Sequence, residues 1–406
     1  MARMGKFALV FLCGSLLAAP PVVTDSRRTG LDAERLSEIP QRMQEFVDAG
    51  RVAGVVTLVA RRGQVAAVDA VGYTDIETKR TLTTENIFQI HSMTKPVIAV
   101  GAMMLAEKGL LSINDPVERH LPEFRGQRMI EHRDGDRMVL RKPSRPITIR
   151  DLMTHTSGMP LNPPEGIKEL QGDLHKTLNE SVLIFSQQPL LFEPGTAFQY
   201  SNTGMATLAM ILEKISGMPF EVYLEKRIFE PVGMVDTYVY PPKEKFHRMP
   251  TAYLQVDGEL VKYTADPLGE GKMKFREGAK YPLPEGALYS TAADLYRFYQ
   301  LMLNGGEFDG VRLLSPATVE VMTSVHTGDI EAGLGMGRGL GWQVVKDAAG
   351  QGALASIGTY GHGGRYGTFC FLDPTKDLIG IFLIHRQGDS VERTAFQQMV
   401  YGALLN

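Results

Sequence analysis

The chain has 406 residues, of which 44% are hydrophobic and 22% are charged. This balance is typical of a folded globular protein and excludes a mainly disordered or collagen-like chain. The 43 Lys and Arg residues stand against 46 Asp and Glu residues, so no excess of positive charge favours a nucleic-acid partner. With only two cysteines, Cys13 and Cys370, the chain has neither a disulfide framework nor a four-cysteine zinc site.

The first twenty residues differ in composition from the rest of the chain. Arg3 and Lys6 precede an apolar run over residues 7–19. A short positive region followed by about 7–15 apolar residues predicts a secretory signal peptide over residues 1–20, and hence a periplasmic or secreted protein. The alternatives are an uncleaved membrane anchor, a misassigned start, or a lipoprotein attached through Cys13.

The following segments predict a helix, a hairpin and a second helix. Residues 31–49 carry apolar side chains at helical spacing, which predicts an amphipathic helix. The apolar runs 55–60 and 65–71 flank a short turn and predict a β-hairpin. Residues 93–109 are rich in Ala, Val, Met and Leu and end at a glycine, which predicts a buried helix.

The middle of the chain is mostly helical by its pattern. Residues 125–145 are dense in charge and are predicted to form a solvated loop or insertion. Helices are predicted at 151–155, 203–216 and 292–303. Between them lie proline-rich stretches.

The C-terminal part returns to strands. Residues 342–345, 368–372 and 378–384 are short and apolar and predict strands, and residues 391–404 predict a closing helix. Cys370 falls inside one of these strands, which favours a core thiol over a reactive one.

Strands at both ends with helices between them predict an α/β fold, in which an antiparallel sheet is flanked by helices. Residues 30–110 and 290–406 would form the sheet domain. Residues 111–289 would form an inserted, mostly helical domain.

Motifs for several common chemistries are missing. No G-x-S-x-G, P-loop or H-E-x-x-H occurs, and the nine histidines show no ligand spacing, so we expect no metal. The glycine-rich run 333–341 never reads G-x-G-x-x-G and precedes a strand, so we interpret it as a flexible loop.

The first candidate motif is Ser92-Met93-Thr94-Lys95, at the start of the predicted buried helix. Residues three apart lie on one helix face, so the Lys95 amine can reach the Ser92 oxygen. The N–H groups and positive dipole of a helix N-terminus favour a developing oxyanion. The alternative is a capping serine with an exposed lysine, but an unpaired buried lysine is costly and favours a functional partner.

The second candidate motif is Tyr200-Ser201-Asn202. A tyrosine acts as a general base only when a nearby cation stabilises its phenolate, so such a role requires Lys95 close to Tyr200. Asn202 can donate a hydrogen bond to a substrate carbonyl and hold the lysine. A core tyrosine followed by helix-capping residues is the alternative.

The third candidate motif is Gly361-His362-Gly363-Gly364-Arg365, just before a predicted strand. Small residues let a substrate lie against a strand edge, where backbone N–H and C=O groups can hold it. A glycine-rich turn with an exposed histidine is the alternative.

The order and spacing of the three motifs resemble the serine β-lactamase and penicillin-recognising family. Together with the flanks 151–158 and 231–234 they resemble its class C-like branch, and they are most similar to the family VIII carboxylesterases. The resemblance covers about residues 35–404. It implies an α/β sheet domain packed on an all-helical domain, with the site in the cleft between them and no cofactor.

The resemblance also implies roles for individual residues. Ser92 would be the nucleophile, and Lys95 and Tyr200 would form the general-base pair. The backbone N–H groups of Ser92 and Arg365 would form the oxyanion hole. Residues of the second and third motifs would bind the substrate: Asn202, His362, Gly363 and Gly364.

The sequence departs from the β-lactamases at His362, where they carry a lysine. A histidine has an ordinary pKa of about 6.5, so we expect it to be mostly neutral at pH 7 and to gain charge at acid pH. Loss of a permanent cation weakens recognition of anionic β-lactams more than recognition of neutral esters. Trp342 and Tyr366 are further candidates for lining the cleft, and packing in the sheet is the alternative for Trp342.

The sequence therefore predicts a serine carboxylesterase that cleaves short-chain esters, with β-lactam hydrolysis as a side activity. The substrate would be a small ester or amide. The alternatives are a class C-like β-lactamase or D-amino-acid peptidase, and a penicillin-binding protein that deacylates slowly.

Overall fold

A computed structural model describes residues 25–162, 174–263, 274–276, 278–286, 288–350, 354–388 and 391–405. The predicted signal peptide and Cys13 lie outside these residues. Within the described ranges, no helix is both long and apolar enough to span a bilayer.

The chain alternates short strands with helices of up to sixteen residues. The strands are β1 (Gly54–Arg61), β2 (Gln64–Asp75), β3 (Arg80–Thr81), β4 (Phe88–Gln89), β5 (Met129–Asp134), β6 (Arg137–Arg141), β7 (Tyr253–Val256), β8 (Glu259–Lys262), β9 (Tyr289–Ser290), β10 (Glu307–Phe308), β11 (Val311–Arg312), β12 (Met336–Arg338), β13 (Gln343–Val345), β14 (Tyr360–Gly363), β15 (Phe369–Asp373), β16 (Leu378–Leu383) and β17 (Arg386–Gln387). The α-helices are α1 (Ser26–Thr29), α2 (Ala33–Asp48), α3 (Thr94–Glu107), α4 (Val117–His120), α5 (Ile149–Thr154), α6 (Leu178–Ser186), α7 (Asn202–Ser216), α8 (Phe220–Leu224), α9 (Glu230–Val232), α10 (Ala292–Leu303), α11 (Pro316–Thr323) and α12 (Val391–Gly402).

An eight-stranded antiparallel sheet contains strands from both ends of the chain. Its order is β12-β13-β14-β15-β16-β1-β2-β3. In the middle of the sheet β16 pairs with β1, with Val56 opposite Leu383. The predicted antiparallel sheet built from the two ends of the chain is therefore confirmed. The predicted β1–β2 hairpin and the predicted strands in the C-terminal part of the chain are confirmed as well.

The central strands are buried on both faces because helices cover both sides of the sheet. On one side α2 and α12 pack against a core that includes Val55, Val59 and Phe382. On the other side a larger core includes Val56, Leu58 and Ile381. All eight residues of β1 are buried, which is typical of a strand covered on both faces.

The larger core continues into the helices between the two groups of strands. Helix α3 packs against α7 and α8, and Gly101 of α3 permits this close approach. The Tyr223 hydroxyl of α8 donates to the Gly101 carbonyl oxygen at 2.9 Å. The first candidate motif leads into helix α3, and α3 thus contacts the helix that begins at Asn202 of the second candidate motif and the helix after it. The predicted domain boundaries, near residues 110 and 290, stay a prediction.

Two expectations about irregular segments are corrected. Residues 129–141 form the β5–β6 hairpin, which is mostly exposed, and not a loop. The glycine-rich run is not a loop throughout, because residues 336–338 form β12 at the edge of the large sheet. Exposure explains the first error, since a hairpin solvated on both faces lacks alternating apolar residues.

Candidate active site

The first candidate motif spans the entry into α3. His91, Ser92 and Met93 form a single 3-10 turn that runs directly into the helix, so Lys95 lies in the first turn of α3. The Lys95 ammonium donates a hydrogen bond to the Ser92 hydroxyl oxygen at 3.1 Å. Ser92 is half-buried, whereas Lys95 has no exposed surface.

Lys95 is held by a second, backbone acceptor. Its ammonium donates to the Glu285 carbonyl oxygen at 2.6 Å. Two hydrogen bonds compensate part of the cost of burying this charge. They also keep the ammonium next to Ser92.

Tyr200 lies beside the Lys95 ammonium. The Lys95 nitrogen is 4.7 Å from the centre of the Tyr200 ring. Tyr200, more than a hundred residues from Ser92 and Lys95 in the chain, therefore lies next to the lysine that bonds to Ser92. This is the proximity that a base role for Tyr200 requires.

His155 holds the segment that carries Tyr200. The His155 carbonyl oxygen accepts a hydrogen bond from the Gln199 N–H at 2.9 Å, and His155 Nδ1 accepts one from the Ser201 N–H at 3.2 Å. The His155 ring lies 4.3 Å from the Tyr200 ring. Burial, with Arg338 as the next cause, holds the pKa of His155 well below its ordinary value, so the imidazole is neutral.

Arg338 of β12 brings a second cation to Tyr200. Its guanidinium carbon is 4.7 Å from the Phe198 ring centre and 5.8 Å from the Tyr200 ring centre. Its residue surface is 6% exposed. Burial lowers the pKa of Arg338 to about 10, and the neighbouring Tyr200 charge acts in the opposite direction. The guanidinium therefore remains charged at neutral pH.

His362 of β14 is neutral for a reason that the sequence does not reveal. Burial lowers its pKa to about 3, and Lys95 and Arg338 add to this shift. The expectation that acid pH charges His362 is therefore wrong over the usual assay range. The His362 Nδ1–H donates to the Gly363 carbonyl oxygen at 2.8 Å, which leaves Nε2 as a buried acceptor without a partner.

The turn after His362 packs directly on the nucleophile segment. A Cβ atom on Gly364 would lie 2.1 Å from the Thr368 hydroxyl oxygen and 2.4 Å from the Ile90 carbonyl oxygen. The Thr368 hydroxyl donates to the same Ile90 oxygen at 3.3 Å. Glycine at 364 therefore lets the turn that presents the Arg365 N–H lie against the chain two residues before Ser92.

The structure also places the other residues that the sequence singled out, Asn202, Trp342 and Tyr366. The Asn202 side-chain amide donates to the Asn162 side-chain oxygen at 3.1 Å, and the expected bond to Lys95 is not formed. Trp342 is fully buried and packs on Phe298 and Tyr360, so it belongs to the core and does not line the cleft. Tyr366 is 2% exposed and packs edge-on against His91.

The lone thiol of the sheet is a core residue, as predicted. Cys370 lies fully buried in β15, and burial raises its pKa to about 12.

Sequence reasoning missed three contributors to the site. His155 lies in a stretch that the family resemblance already includes, but its contacts to both sides of Tyr200 appear only in three dimensions. Arg338 was hidden in the glycine-rich run. The Glu285 contribution is a backbone oxygen, which carries no side-chain signal.

Comparisons with known proteins identify the family of the chain. The family model described as Beta-lactamase matches residues 39–402. Protein Rv1367c of Mycobacterium tuberculosis is 30% identical over 377 residues, which cover 87% of this chain and 91% of that protein. A protein of Salmonella agona named "Putative D-alanyl-D-alanine carboxypeptidase" is 27% identical over 409 residues, 93% of this chain and 89% of that protein.

A solved structure is similar to this chain over nearly its whole length. EstCE1, described as a hydrolase with promiscuous acyltransferase activity, is 26% identical and has a TM-score of 0.77. The match covers 92% of this chain and 99% of EstCE1, and it supports the relationship to the family VIII esterases. With the family model matching almost the whole described fold, the chain belongs to the Beta-lactamase family of serine hydrolases.

Proposed function

We propose that the protein is a serine carboxylesterase that cleaves short-chain esters through an acyl-enzyme on Ser92. Lys95 and Tyr200 form its general-base pair. The substrate is a small molecule, and hydrolysis of β-lactams is a side activity. EstCE1, itself described as a hydrolase, supports this direction.

Acylation uses the hydrogen bonds around Ser92. The Tyr200 phenolate accepts the Ser92 hydroxyl proton while the serine oxygen attacks the ester carbonyl carbon. The Ser92 and Arg365 N–H groups donate to the resulting oxyanion. The tetrahedral intermediate then expels the alcohol oxygen, which takes the proton from Tyr200. An ester now joins Ser92 to the acyl group.

Deacylation repeats these steps with water. Tyr200 accepts a proton from the water that attacks the acyl carbon, and the collapse of the second intermediate returns that proton to Ser92. The products are a carboxylic acid and free enzyme. Lys95 keeps its charge close to the Ser92 oxygen and to the Tyr200 ring, because it is anchored to Ser92 and to the Glu285 carbonyl.

The observation that carries the ester assignment is the neutral, buried imidazole at His362. Penicillins and cephalosporins carry a carboxylate, and a cation within hydrogen-bond reach stabilises such an anion. With a pKa of about 3, His362 supplies no such cation at neutral pH. A neutral ester needs none.

A second candidate function is a class C-like β-lactamase or D-amino-acid peptidase. It is favoured by Arg338, a buried cation beside Tyr200 that pairs with no carboxylate of the described residues. The Salmonella relative's printed name points to the same chemistry. A penicillin-binding protein that acylates but deacylates slowly is the third possibility from the sequence.

The test compares three substrates on the full chain: a para-nitrophenyl butyrate ester, a chromogenic cephalosporin and a D-alanyl-D-alanine peptide. The proposal expects the largest kcat/KM for the ester. A larger kcat/KM for the peptide or the cephalosporin would contradict it. A single burst of product followed by a stable acyl-enzyme in mass spectra would identify the slowly deacylating protein.

Variants test the residue roles. Ser92→Ala should abolish ester hydrolysis and labelling by a fluorophosphonate, whereas Ser37→Ala, on the exposed face of α2, is the matched control. Lys95→Ala and Tyr200→Phe should each lose at least about 100-fold in kcat. Near wild-type rates in Ser92→Ala would refute the nucleophile, and an effect of only one of the two base variants would refute the shared base.

A further inference from the structure

We propose that the Arg338 guanidinium is the charge partner of the Tyr200 phenolate and thereby a positioning residue for the proton transfer. The inference rests on the proposed function, since it requires Tyr200 to accept the proton from Ser92. The inference adds to the site a residue of β12, an edge strand of the eight-stranded sheet.

Arg338 is a buried cation without an ionic partner. In the part of the chain that the structure describes, no carboxylate pairs with it, and its Nε–H is buried without a hydrogen-bond acceptor. Backbone groups of Arg338 do bond, since its N–H donates to the Thr327 hydroxyl and its carbonyl accepts from the His326 N–H. These bonds hold the strand in place and leave the guanidinium to its ring neighbours.

An isolated charge in such a place is expensive, so some group must offset its burial. The contacts of the guanidinium are the rings of Phe198 and Tyr200, at 4.7 and 5.8 Å from its carbon. Phe198 never ionises. Tyr200 is thus the neighbour that can supply a negative charge, and it does so when its hydroxyl is deprotonated.

Among the described residues, the charged and titratable side chains in contact with the Tyr200 ring come from α3, β12, β14 and the residue after α5, and none of these contacts is made by a carboxylate. Lys95 of α3 and Arg338 of β12 are charged. His155, which follows α5, and His362 of β14 face the ring as neutral imidazoles, at 4.3 and 6.3 Å between ring centres. The buried Glu285 carboxyl interacts with the Lys95 charge, and burial raises its pKa.

Lys95 and Arg338 differ in the hydrogen bonds that their charged groups make. The Lys95 ammonium also donates to the Ser92 hydroxyl and to the Glu285 carbonyl, so its position follows the nucleophile. Arg338 has no bond to the nucleophile or to the loop around residue 285. It offers a field at Tyr200 that stays constant while Ser92 is acylated and freed.

A different use of Arg338 makes a different prediction. If the guanidinium binds a substrate carboxylate, removing it weakens anionic substrates and leaves the pH profile of a neutral ester unmoved. If it stabilises the phenolate, removing it shifts the pH profile of every substrate, because the base itself is harder to deprotonate.

The experiment measures kcat/KM for para-nitrophenyl butyrate from about pH 5 to pH 10 at constant ionic strength. The enzymes are wild type, Arg338→Gln and Arg338→Lys. Two charges about 6 Å apart at an effective dielectric constant of about 20 shift a protonation equilibrium by about 1–2 pH units. The acid limb of Arg338→Gln should move to higher pH by that amount, with kcat/KM about 10- to 100-fold lower below the limb and recovering above it.

Arg338→Lys keeps the charge and should move the limb less than Arg338→Gln does. Arg61→Gln is the matched control for loss of a buried arginine. Arg61 is 5% exposed, but its guanidinium donates to backbone carbonyls at Gly30 and Lys376, away from the cleft. This variant should lose thermal stability and keep the wild-type acid limb.

An acid limb that stays at its wild-type pH in Arg338→Gln overturns the inference, even when the rate falls, because a structural role lowers rates at all pH values alike. Failure of the proposed function looks different. If Tyr200→Phe retains both its rate and its acid limb, Tyr200 is not the base. If Tyr200→Phe loses activity while Arg338→Gln leaves the limb unmoved, only the role of Arg338 is refuted.

Discussion

Replacing His362 with lysine places a third cation beside Tyr200, next to those of Lys95 and Arg338. In the wild type the position is neutral, because burial and the cations Lys95 and Arg338 lower the pKa of His362 to about 3. A lysine there restores the residue that β-lactamases carry and gives the substrate carboxylate a partner. The expected result is a change in substrate preference, from neutral esters towards anionic β-lactams.

The magnitude follows from the surroundings of the ring. His362 is 2% exposed, so a contact made there is shielded from water. A hydrogen bond between an ammonium and a carboxylate contributes about 1–3 kcal/mol. The ratio of cephalosporin to ester kcat/KM should therefore rise by about 5- to 150-fold in His362→Lys. Repulsion from Lys95 and Arg338 lowers both activities together, so the ratio isolates the new contact.

The assay measures both kcat/KM values for wild type, His362→Lys and the neutral control His362→Gln, at low and high salt. The gain should be absent in His362→Gln and should change little between low and high salt, because a buried charge pair is screened much less than an exposed one. The wild-type ratio should stay constant between about pH 5 and pH 8, since His362 does not titrate there. An unchanged ratio in a folded His362→Lys that still hydrolyses the ester would show that cleft shape, and not charge, selects the substrate.

Three further predictions address the packing, the stability and the processing of the chain. Gly364→Ala should lower the free energy of unfolding by about 1–3 kcal/mol, because its Cβ would lie 2.4 Å from the Ile90 oxygen. Gly363→Ala is the control, since its Cβ would meet nothing nearer than 3.5 Å, and equal melting temperatures for the two would contradict the clash. Burial raises the pKa of Asp294 to about 6, so the folded state binds its proton more tightly than the unfolded state. The free energy of unfolding should therefore fall by about 3 kcal/mol between about pH 4 and pH 7, and urea unfolding of Asp294→Asn at both pH values should lack this step. If the free energies of unfolding of Asp294→Asn and wild type differ by the same amount at both pH values, Asp294 is not the source of the pH dependence. Finally, mass spectrometry of the exported protein should show loss of about the first twenty residues, and an intact Met1 in the cytoplasmic fraction would count against a signal peptide.

The main elements could be predicted from the sequence because their patterns reflect burial. Strand β1 is buried along its whole length and helix α3 along most of its length, and both are mostly apolar, so the sequence predicts them. The β5–β6 hairpin was not, since Met138 and Val139 point into solvent and charged residues surround them. Periodicity predicts elements that contact a core, and it says little about elements that do not.

The residues of the site likewise fall into those that the sequence predicts and those that it does not. The serine and the lysine of the first motif are three residues apart, so local helix geometry already places them together. Arg338 and Tyr200 are separated by well over a hundred residues, and only the position of β12 at the sheet edge brings them into contact. The neutral state of His362 also depends on these long-range neighbours, so its ordinary pKa was a poor guide.

The fold fixes the relative positions of the reacting groups through a few backbone contacts. Gly364 rests on the Ile90 carbonyl, which places the turn of Arg365 against the Ser92 segment. His155 bonds to the backbone on both sides of Tyr200. Acyl transfer depends on alignment to within a fraction of an ångström, so small displacements at these contacts should reduce kcat more than substrate affinity. The side chains that carry the chemistry are few, and the backbone contacts that align them are dispersed along the chain.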